Sequence, residues 1–125
     1  IPADNPFKSV TDRQALASAL KRVSVFCNQS SGLVKLELSQ NTLKLTGQDY
    51  EFATNAIEYQ NCEYSGQNIH IGFSCQFLIE ILNILDSESV SIELADPSRP
   101  GIIKPVPASE DEEILMLLMP MRVEE

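Results

Sequence analysis

Residues 74–85 read SCQFLIEILNIL, and their apolar side chains recur at spacings of three and four residues. Because an α-helix makes a turn in about 3.6 residues, this spacing puts the apolar side chains on one stripe and predicts an amphipathic helix. The hydroxyl of Ser74 suits the start of a helix, and the pair Asp86-Ser87 is expected to end it. The members of the stripe are Phe77, Leu78, Ile81, Leu82 and Leu85.

A second segment, residues 12–23, reads DRQALASALKRV and carries the same spacing. Either Thr11 or Asp12 is suited to cap the helix that this spacing predicts. An offset of 62 residues aligns Leu16 with Leu78 and superimposes the two stripes. Each predicted helix follows a short strand and precedes three more strands, so the chain is predicted to contain two β-α-β-β-β repeats.

The segments between the helices are typical of antiparallel strands. Residues 34–38 (VKLEL) and 43–46 (LKLT) alternate in polarity on either side of a Gln40-Asn41 turn, as in a hairpin with one buried face. Residues 114–119 (ILMLLM) are apolar at every position, as in a strand that is covered on both faces or buried at an interface. The predicted fold class is therefore α+β, with two helices packed against antiparallel sheets. Strands are expected at 7–10, 34–38, 43–46, 51–59, 69–71, 90–94, 102–103 and 114–119.

Length and composition suit one reduced, cytoplasmic domain. The chain has 125 residues, 43% of them hydrophobic, which is enough to bury a core without disulfide bonds. Three cysteines far apart in the sequence favour free thiols. The sequence has no apolar run of about 18 residues, as a membrane helix requires, and no visible signal peptide. Because the first residue is Ile1, we expect the chain to be part of a longer protein.

The negative charge is concentrated in the second half. Residues 1–66 carry six basic and seven acidic residues, whereas residues 67–125 carry three basic and eleven acidic residues. Four of the acids form the run at 110–113, which is expected to be a solvated turn. A net charge of −9 argues by itself against nucleic-acid binding, but most of the cations lie early in the chain.

The sequence contains no recognisable catalytic or metal-binding set of residues. His70 is the only histidine and lies between two isoleucines in a predicted strand, where an outward-facing or hydrogen-bonded side chain is expected. The cysteines form no CxxC pair, and the glycines form no phosphate-binding signature. We therefore expect a non-catalytic protein that needs no metal or cofactor.

Several stretches of the chain match one known family. They are IGF at 71–73 with the helix that follows, VSIELADP at 90–97, IIKP at 102–105, MPMRV at 119–123, and, in the first half, IP at 1–2, NP at 5–6, LKLT at 43–46 and YSG at 64–66. Together they closely resemble the bacterial sliding clamp, the beta subunit of DNA polymerase III, and MPMR is the most specific element. The resemblance covers essentially the whole chain, but it corresponds to the third and last domain of a three-domain subunit. Residues 1–125 are therefore expected to be that domain, as a fragment.

The resemblance implies a ring around DNA. In the family, two subunits close head to tail into a ring of six similar domains, whose helices line the hole and whose sheets form the rim. The ring encircles duplex DNA and keeps the replicative polymerase on it, without catalysis. Contact with DNA is then electrostatic and independent of sequence. The expected DNA-facing residues are Lys8, Arg13, Lys21 and Arg22, although an ordinary solvated helix face would explain the same cations.

The resemblance also implies a groove for partner proteins. In the family, polymerases, the clamp loader and repair proteins dock a short motif, roughly Gln-Leu followed by hydrophobic residues, between the second and third domains. Methionine and proline side chains give such a groove an adaptable apolar floor. An ordinary core strand at 114–119 would explain only its alternate residues. The residues that match the groove are Ser74, Phe77, Ser98, Pro100, Leu117, Leu118, Met119, Pro120, Met121 and Arg122, with Ser31 matched more loosely.

Two apolar residues after the first helix, Val25 and Phe26, match the dimer interface of the ring. A fragment that lacks the first domain cannot close this interface and is expected to be monomeric, with an exposed apolar patch. No membrane partner is expected. The residues alone leave a second class open, namely a small ligand-binding or enzymatic α+β domain unrelated to replication.

Overall fold

The computed structural model describes residues 6–26, 32–49, 54–107 and 116–121. These residues form eight strands and two helices in the predicted order. The elements are β1 (Phe7–Asp12), α1 (Arg13–Ser24), β2 (Leu33–Ser39), β3 (Thr42–Asp49), β4 (Thr54–Asn61), β5 (Ile69–Ser74), α2 (Cys75–Ile84), β6 (Ser89–Leu94), β7 (Gly101–Val106) and β8 (Met116–Leu118).

The two repeats exchange their first strands. Sheet 1 has the order β1-β6-β7-β8 and sheet 2 the order β4-β3-β2-β5, with all neighbours antiparallel. The first strand of each repeat therefore completes the sheet of the other repeat. The two β-α-β-β-β repeats and the α+β class are confirmed.

Both helices begin where the sequence predicts. The Asp12 carboxylate accepts a hydrogen bond from the backbone N–H of Ala15 at 2.8 Å, so Asp12 rather than Thr11 caps α1. The Ser74 hydroxyl accepts a hydrogen bond from the N–H of Phe77 at 3.2 Å and caps α2. Helix α2 ends at Ile84, before the expected Asp86-Ser87, because the next residue already has an extended backbone.

The apolar stripes of the two helices meet the inner faces of both sheets in one core. Leu16 and Leu20 of α1 and Leu78 and Leu82 of α2 are fully buried in it, beside Ile92 of sheet 1. Fully burying one such side chain stabilises the fold by about 1.5–3 kcal/mol. This burial fixes which face of each helix is left for other contacts.

Two sequence predictions need correction. Strand β4 continues to Asn61, past the expected end at residue 59, and residues 51–53 lie outside the described part. Of the run at 114–119, residues 116–119 are described, and they are not covered on both faces, because Leu118 is buried whereas Leu117 and Met119 are exposed; burial at an interface stays a prediction. Neither described helix has the length and hydropathy needed to cross a membrane. Cys27 and the acidic run at 110–113 also lie outside the described residues.

Candidate functional site

The exposed large hydrophobic side chains of the described residues fall into two groups. Phe77, Ile84, Leu117 and Met119 are between 49% and 68% exposed and lie along α2 and the segment at 116–121. The second group lies at the other end of sheet 2, around β4. Contiguous exposed apolar surface on a soluble domain usually marks an interaction site. We call the surface between α2 and residues 116–121 the groove.

The groove has a volume of about 490 Å³ and two apolar walls. One wall is a ridge of α2, whose members are spaced by three and four residues, and the other is β8 with the residues after it. Seven predicted residues meet here, namely Ser74, Phe77, Leu117, Leu118, Met119, Pro120 and Met121. Four lining residues were not predicted, namely Glu80, Ile81, Ile84 and Met116.

The sequence did contain a signal for these four residues. Helical spacing carries the ridge from Phe77 to positions 80, 81 and 84, and strand alternation places Met116 on the same face as the buried Leu118. The motif positions that match the family do not include these four residues.

The start of α2 is held by backbone contacts. Ser74 caps the helix, and the N–H of Cys75 donates to the carbonyl oxygen of Gly32 at 2.7 Å. The Cys75 thiol also points inward, 3.4 Å from the carbonyl oxygen of Leu20. Phe77 follows on the exposed side of the first turn, so these contacts fix its direction toward the groove.

The end of α2 is held by Arg13, which was expected to face DNA. The guanidinium donates from Nη1 to the carbonyl oxygen of Leu82 at 3.0 Å and from Nε to that of Ser87 at 2.6 Å. The backbone N–H of Arg13 donates to the carbonyl oxygen of Glu88 at 2.9 Å. A cation at this position satisfies carbonyl groups at the end of a helix and complements its dipole. Arg13 therefore has a structural role at the groove-lining helix.

The opposite wall is pinned between the two sheets. Strand β8 pairs with β7 in sheet 1, placing Leu118 opposite Gly101. Three residues further on, the N–H of Met121 donates to the carbonyl oxygen of Gly72 in sheet 2 at 2.6 Å. Because Met119 and Pro120 lie between these two anchors, the wall crosses from one sheet to the other with the Met119 side chain exposed.

The turn that carries Ser98 borders a second pocket of about 430 Å³. It is lined by His70, Gly72, Asp96, Pro97, Ser98, Pro120 and Met121, so the two pockets share Pro120 and Met121. The backbone N–H and the hydroxyl of Ser98 both donate hydrogen bonds to the Asp96 carboxylate. These hydrogen bonds hold the pKa of Asp96 below its ordinary range. Ser98 thus lies beside the groove, Pro100 is half-buried, and Arg122 lies outside the described residues.

The predicted cations do not form one surface. Lys21 and Arg22 are exposed in the last turn of α1. Arg22 forms a two-point ion pair with Glu58 of β4, at 2.9 and 3.1 Å, which raises the pKa of the guanidinium and lowers that of the carboxylate. Lys8 lies on β1, and its buried neighbour Ser9 pairs with Ile92 of the core, so Lys8 is on the face of sheet 1 that points away from the helices. Lys8 therefore lies on the strand before the first helix and is separated from the exposed cations of α1.

The second exposed apolar group surrounds the outer edge of sheet 2. Ile57 and Tyr59 alternate along β4, which pairs only with β3 among the described strands. The Arg22–Glu58 pair holds the last turn of α1 against this strand, so Val25 and Phe26, which follow that turn, are at the same edge. Both are exposed. We call these four residues the edge patch.

Side chains of the types that serve in catalysis or metal binding lie apart from one another in the described part of the chain. No cluster of three or more histidine, cysteine or acidic residues is placed there to hold a metal ion. Cys62 and Cys75 are free thiols and both are buried, and burial raises the pKa of the Cys62 thiol. His70 is exposed on β5, as expected for an outward-facing strand residue. The groove offers apolar contact and one carboxylate, which suits binding.

The chain matches the family model described as DNA polymerase III beta subunit, C-terminal domain, over residues 1–122. It is 29% identical over 114 residues to the beta sliding clamp of Pseudomonas aeruginosa, covering 91% of this chain and 30% of that protein. A crystal structure of the P. aeruginosa clamp with ligand superimposes with a TM-score of 0.90 at 28% identity, covering 98% of this chain and 33% of that one. The Bartonella birtlesii DnaN sliding clamp bound to griselimycin gives 0.89 at 31% identity, with 98% and 32% covered. The chain thus spans about 30% of the length of this curated relative.

Proposed function

Because this chain belongs to the family formed by the C-terminal domain of the DNA polymerase III beta subunit, we propose that it is the third domain of a bacterial sliding clamp. The whole protein acts as a processivity factor, which encircles duplex DNA in the cytoplasm and tethers the replicative polymerase. It works by topology and contact, without catalysis and without a cofactor. Family membership argues against the alternative of an unrelated ligand-binding or enzymatic domain.

The observation that carries the proposal is the groove. Its walls expose Phe77, Ile84, Leu117 and Met119 on a domain whose other large apolar side chains are mostly buried. A rigid helix ridge faces a strand wall that is anchored at both ends, so the groove is formed before a ligand arrives. Such a preformed apolar groove suits a short linear motif that inserts two or three hydrophobic side chains.

Replicative polymerase, clamp loader and repair proteins are the partners proposed for this groove. Methionine side chains at its surface adapt to different ligands because they are unbranched and flexible. A single groove of this kind serves several partners in turn, each carrying a similar motif. Ser98, Pro100 and Arg122 remain proposed contacts at its end.

The edge patch is proposed to close the ring. An exposed strand edge beside apolar side chains can pair with a strand of another subunit, and the contact buries Val25 and Phe26. In the family the third domain of one subunit meets the first domain of the other, so the proposed contact is head to tail and two subunits close a ring. The isolated chain lacks the other half of this interface and stays monomeric.

The groove assignment is tested by fluorescence polarisation with a labelled Gln-Leu-Gln-Leu-Phe peptide and the full-length subunit. Truncating an apolar contact at the centre of an interface commonly costs a factor of about ten in affinity, which is the loss we expect for Met119→Ala. Met121→Glu should abolish binding. Ile57→Ala, which removes an exposed apolar side chain from the edge patch, is the matched control and should bind normally. Equal binding by Met119→Ala and the unmodified protein contradicts the assignment.

A further inference from the structure

Glu80 is the one ionisable side chain among the described residues that line the groove. It is exposed, and within the described part of the chain no ion pair or hydrogen bond engages its carboxylate. By contrast, Asp96 in the adjoining pocket is held by Ser98 and pairs with Arg99 at 3.3 Å. A peptide in the groove therefore meets one negative charge that the domain itself leaves available.

The position of Glu80 on the helix defines where that charge acts. It lies three residues after Phe77 and four residues before Ile84, on the same ridge. The seven residues from Phe77 to Ile84 span about 10 Å of helix. An extended peptide covers that distance in about three residues. Two apolar peptide side chains that rest on Phe77 and Ile84 are therefore three positions apart, and Glu80 faces the residues between them.

The first repeat has the same fold but carries no acidic residue at the position that corresponds to Glu80. With the 62-residue offset, Phe77, Glu80 and Ile84 correspond to Ala15, Ser18 and Arg22 of α1. On α1 the residue that corresponds to Ile84 is Arg22, and its side chain forms the ion pair with Glu58. Only the second repeat combines two exposed apolar side chains with a free carboxylate between them, so the combination is a property of the groove.

We propose that Glu80 makes the groove select peptides that carry a lysine or arginine between two apolar anchors three positions apart. The inference rests on the proposed function, because it assumes that the groove holds a partner's peptide. Apolar contacts supply most of the affinity, and the carboxylate discriminates among peptides by attracting a cation and repelling an anion. The second half of the chain is strongly acidic, which favours a cationic ligand further.

The test compares three peptides on the full-length subunit at low ionic strength. They are Gln-Leu-Lys-Leu-Phe, Gln-Leu-Gln-Leu-Phe and Gln-Leu-Glu-Leu-Phe, in which the first leucine and the phenylalanine are three positions apart. We expect the lysine peptide to bind about fivefold more tightly than the glutamate peptide, with the glutamine peptide between them. Added salt should reduce this ratio, since the pair is exposed.

Variants of the full-length subunit distinguish the effect of the Glu80 charge from that of the overall charge and of the apolar contacts. Glu80→Gln should remove the difference between lysine and glutamate peptides, and Glu80→Lys should reverse it. Glu63→Gln removes one negative charge far from the groove and should preserve the original order. Ile84→Ala should weaken all three peptides by the same factor, because it removes an apolar contact that they share.

Two outcomes overturn the inference and have different meanings. If lysine and glutamate peptides bind the unmodified protein equally, or if Glu80→Gln keeps their order, Glu80 does not select the peptide and the groove assignment stands. If none of the three peptides binds, the groove assignment fails, and the inference fails with it.

Discussion

The guanidinium of Arg13 donates a hydrogen bond to the carbonyl oxygen of Leu82 at 3.0 Å, so the start of α1 holds the end of α2. The same group reaches the carbonyl oxygen of Ser87, just beyond the helix. Helix α2 forms one wall of the groove, with Ile81 and Ile84 in its last turn. A residue at the start of the helix of the first repeat therefore stabilises the proposed binding surface of the second.

Arg13→Met should lower the free energy of unfolding by about 1–3 kcal/mol, because two partly buried hydrogen bonds from a charged donor are lost. Urea unfolding measures the change. Arg13→Lys should recover only part of the loss, since an ammonium group lacks the planar fork that reaches two carbonyls. Lys21→Met, an exposed change on the same helix, should shift stability by less than about 0.5 kcal/mol. Equal stabilities of Arg13→Met and Lys21→Met contradict the role given to Arg13.

Replacing two threonines by valine is expected to change the free energy of unfolding in opposite directions, because only one of the two hydroxyls has a hydrogen-bond partner among the described residues. The Oγ1 atom of Thr46 is buried without a hydrogen-bond partner in the described part of the chain. The Thr11 hydroxyl donates to the carbonyl oxygen of Asn61 at 3.2 Å. Thr46→Val should raise the free energy of unfolding by about 1 kcal/mol, because it replaces an unsatisfied polar group with a methyl group of similar size. Thr11→Val should lower it by about the same amount.

Thermal and urea unfolding of the two valine variants, measured side by side, check this pair. Both variants carry the same chemical change on a strand, so differences in β-propensity largely cancel. A destabilised Thr46→Val would mean that its hydroxyl has a partner in solution.

Local patterns were sufficient to predict most of the fold. The two stripes, at 12–23 and 74–85, predicted both helices and their caps, because burial of one helix face imposes a period of about 3.6 residues. The repeat followed from aligning those stripes. The exchange of β1 and β5 between the sheets was not predictable, because strand pairing depends on which distant edges meet and not on the pattern within one strand.

The residues of the candidate site that belong to a local sequence motif could be predicted. The roles that depend on a partner far away in the sequence could not. Seven predicted residues line the groove, since MPMR and the start of α2 are local features. The roles of Arg13 and Arg22 were missed because their partners, Leu82 and Glu58, lie far away in the sequence. A cation on the polar face of a helix looks the same in sequence whether it faces solvent, DNA or a carbonyl group.

The Arg22–Glu58 pair predicts a change of stability with pH. The pKa of Glu58 is lowered, chiefly by the hydrogen bonds from Arg22, so the folded state favours the ionised carboxylate more than the unfolded state does. The pair therefore stabilises the fold above the ordinary glutamate pKa of about 4.3, and its contribution is lost as the pH falls through the lower folded-state value. Arg22→Gln should be less stable than the unmodified protein at neutral pH and equally stable in acid.

Carbon-detected NMR titration of the Glu58 carboxyl group measures the cause directly. Its pKa should return toward the ordinary value in Arg22→Gln and stay low in Lys21→Gln, which leaves the ion pair in place. If the Glu58 pKa is the same in all three proteins, Arg22 does not stabilise the carboxylate in solution.

The separation of Lys21 from Lys8 makes the proposed DNA contact testable. Lys21 is exposed on α1, and no ion pair holds its ammonium group within the described residues, whereas Lys8 lies on the face of sheet 1 that points away from the helices. Each phosphate contact contributes about 0.9 to the slope of log affinity against log salt concentration. In the full-length ring on duplex DNA, Lys21→Gln should reduce the slope by about that amount. Lys8→Gln removes the same charge and should leave the slope unchanged, because in the proposed ring the helix surface faces the DNA and Lys8 lies on the opposite face of sheet 1. Equal effects of the two substitutions would place the DNA contact somewhere other than the helix surface.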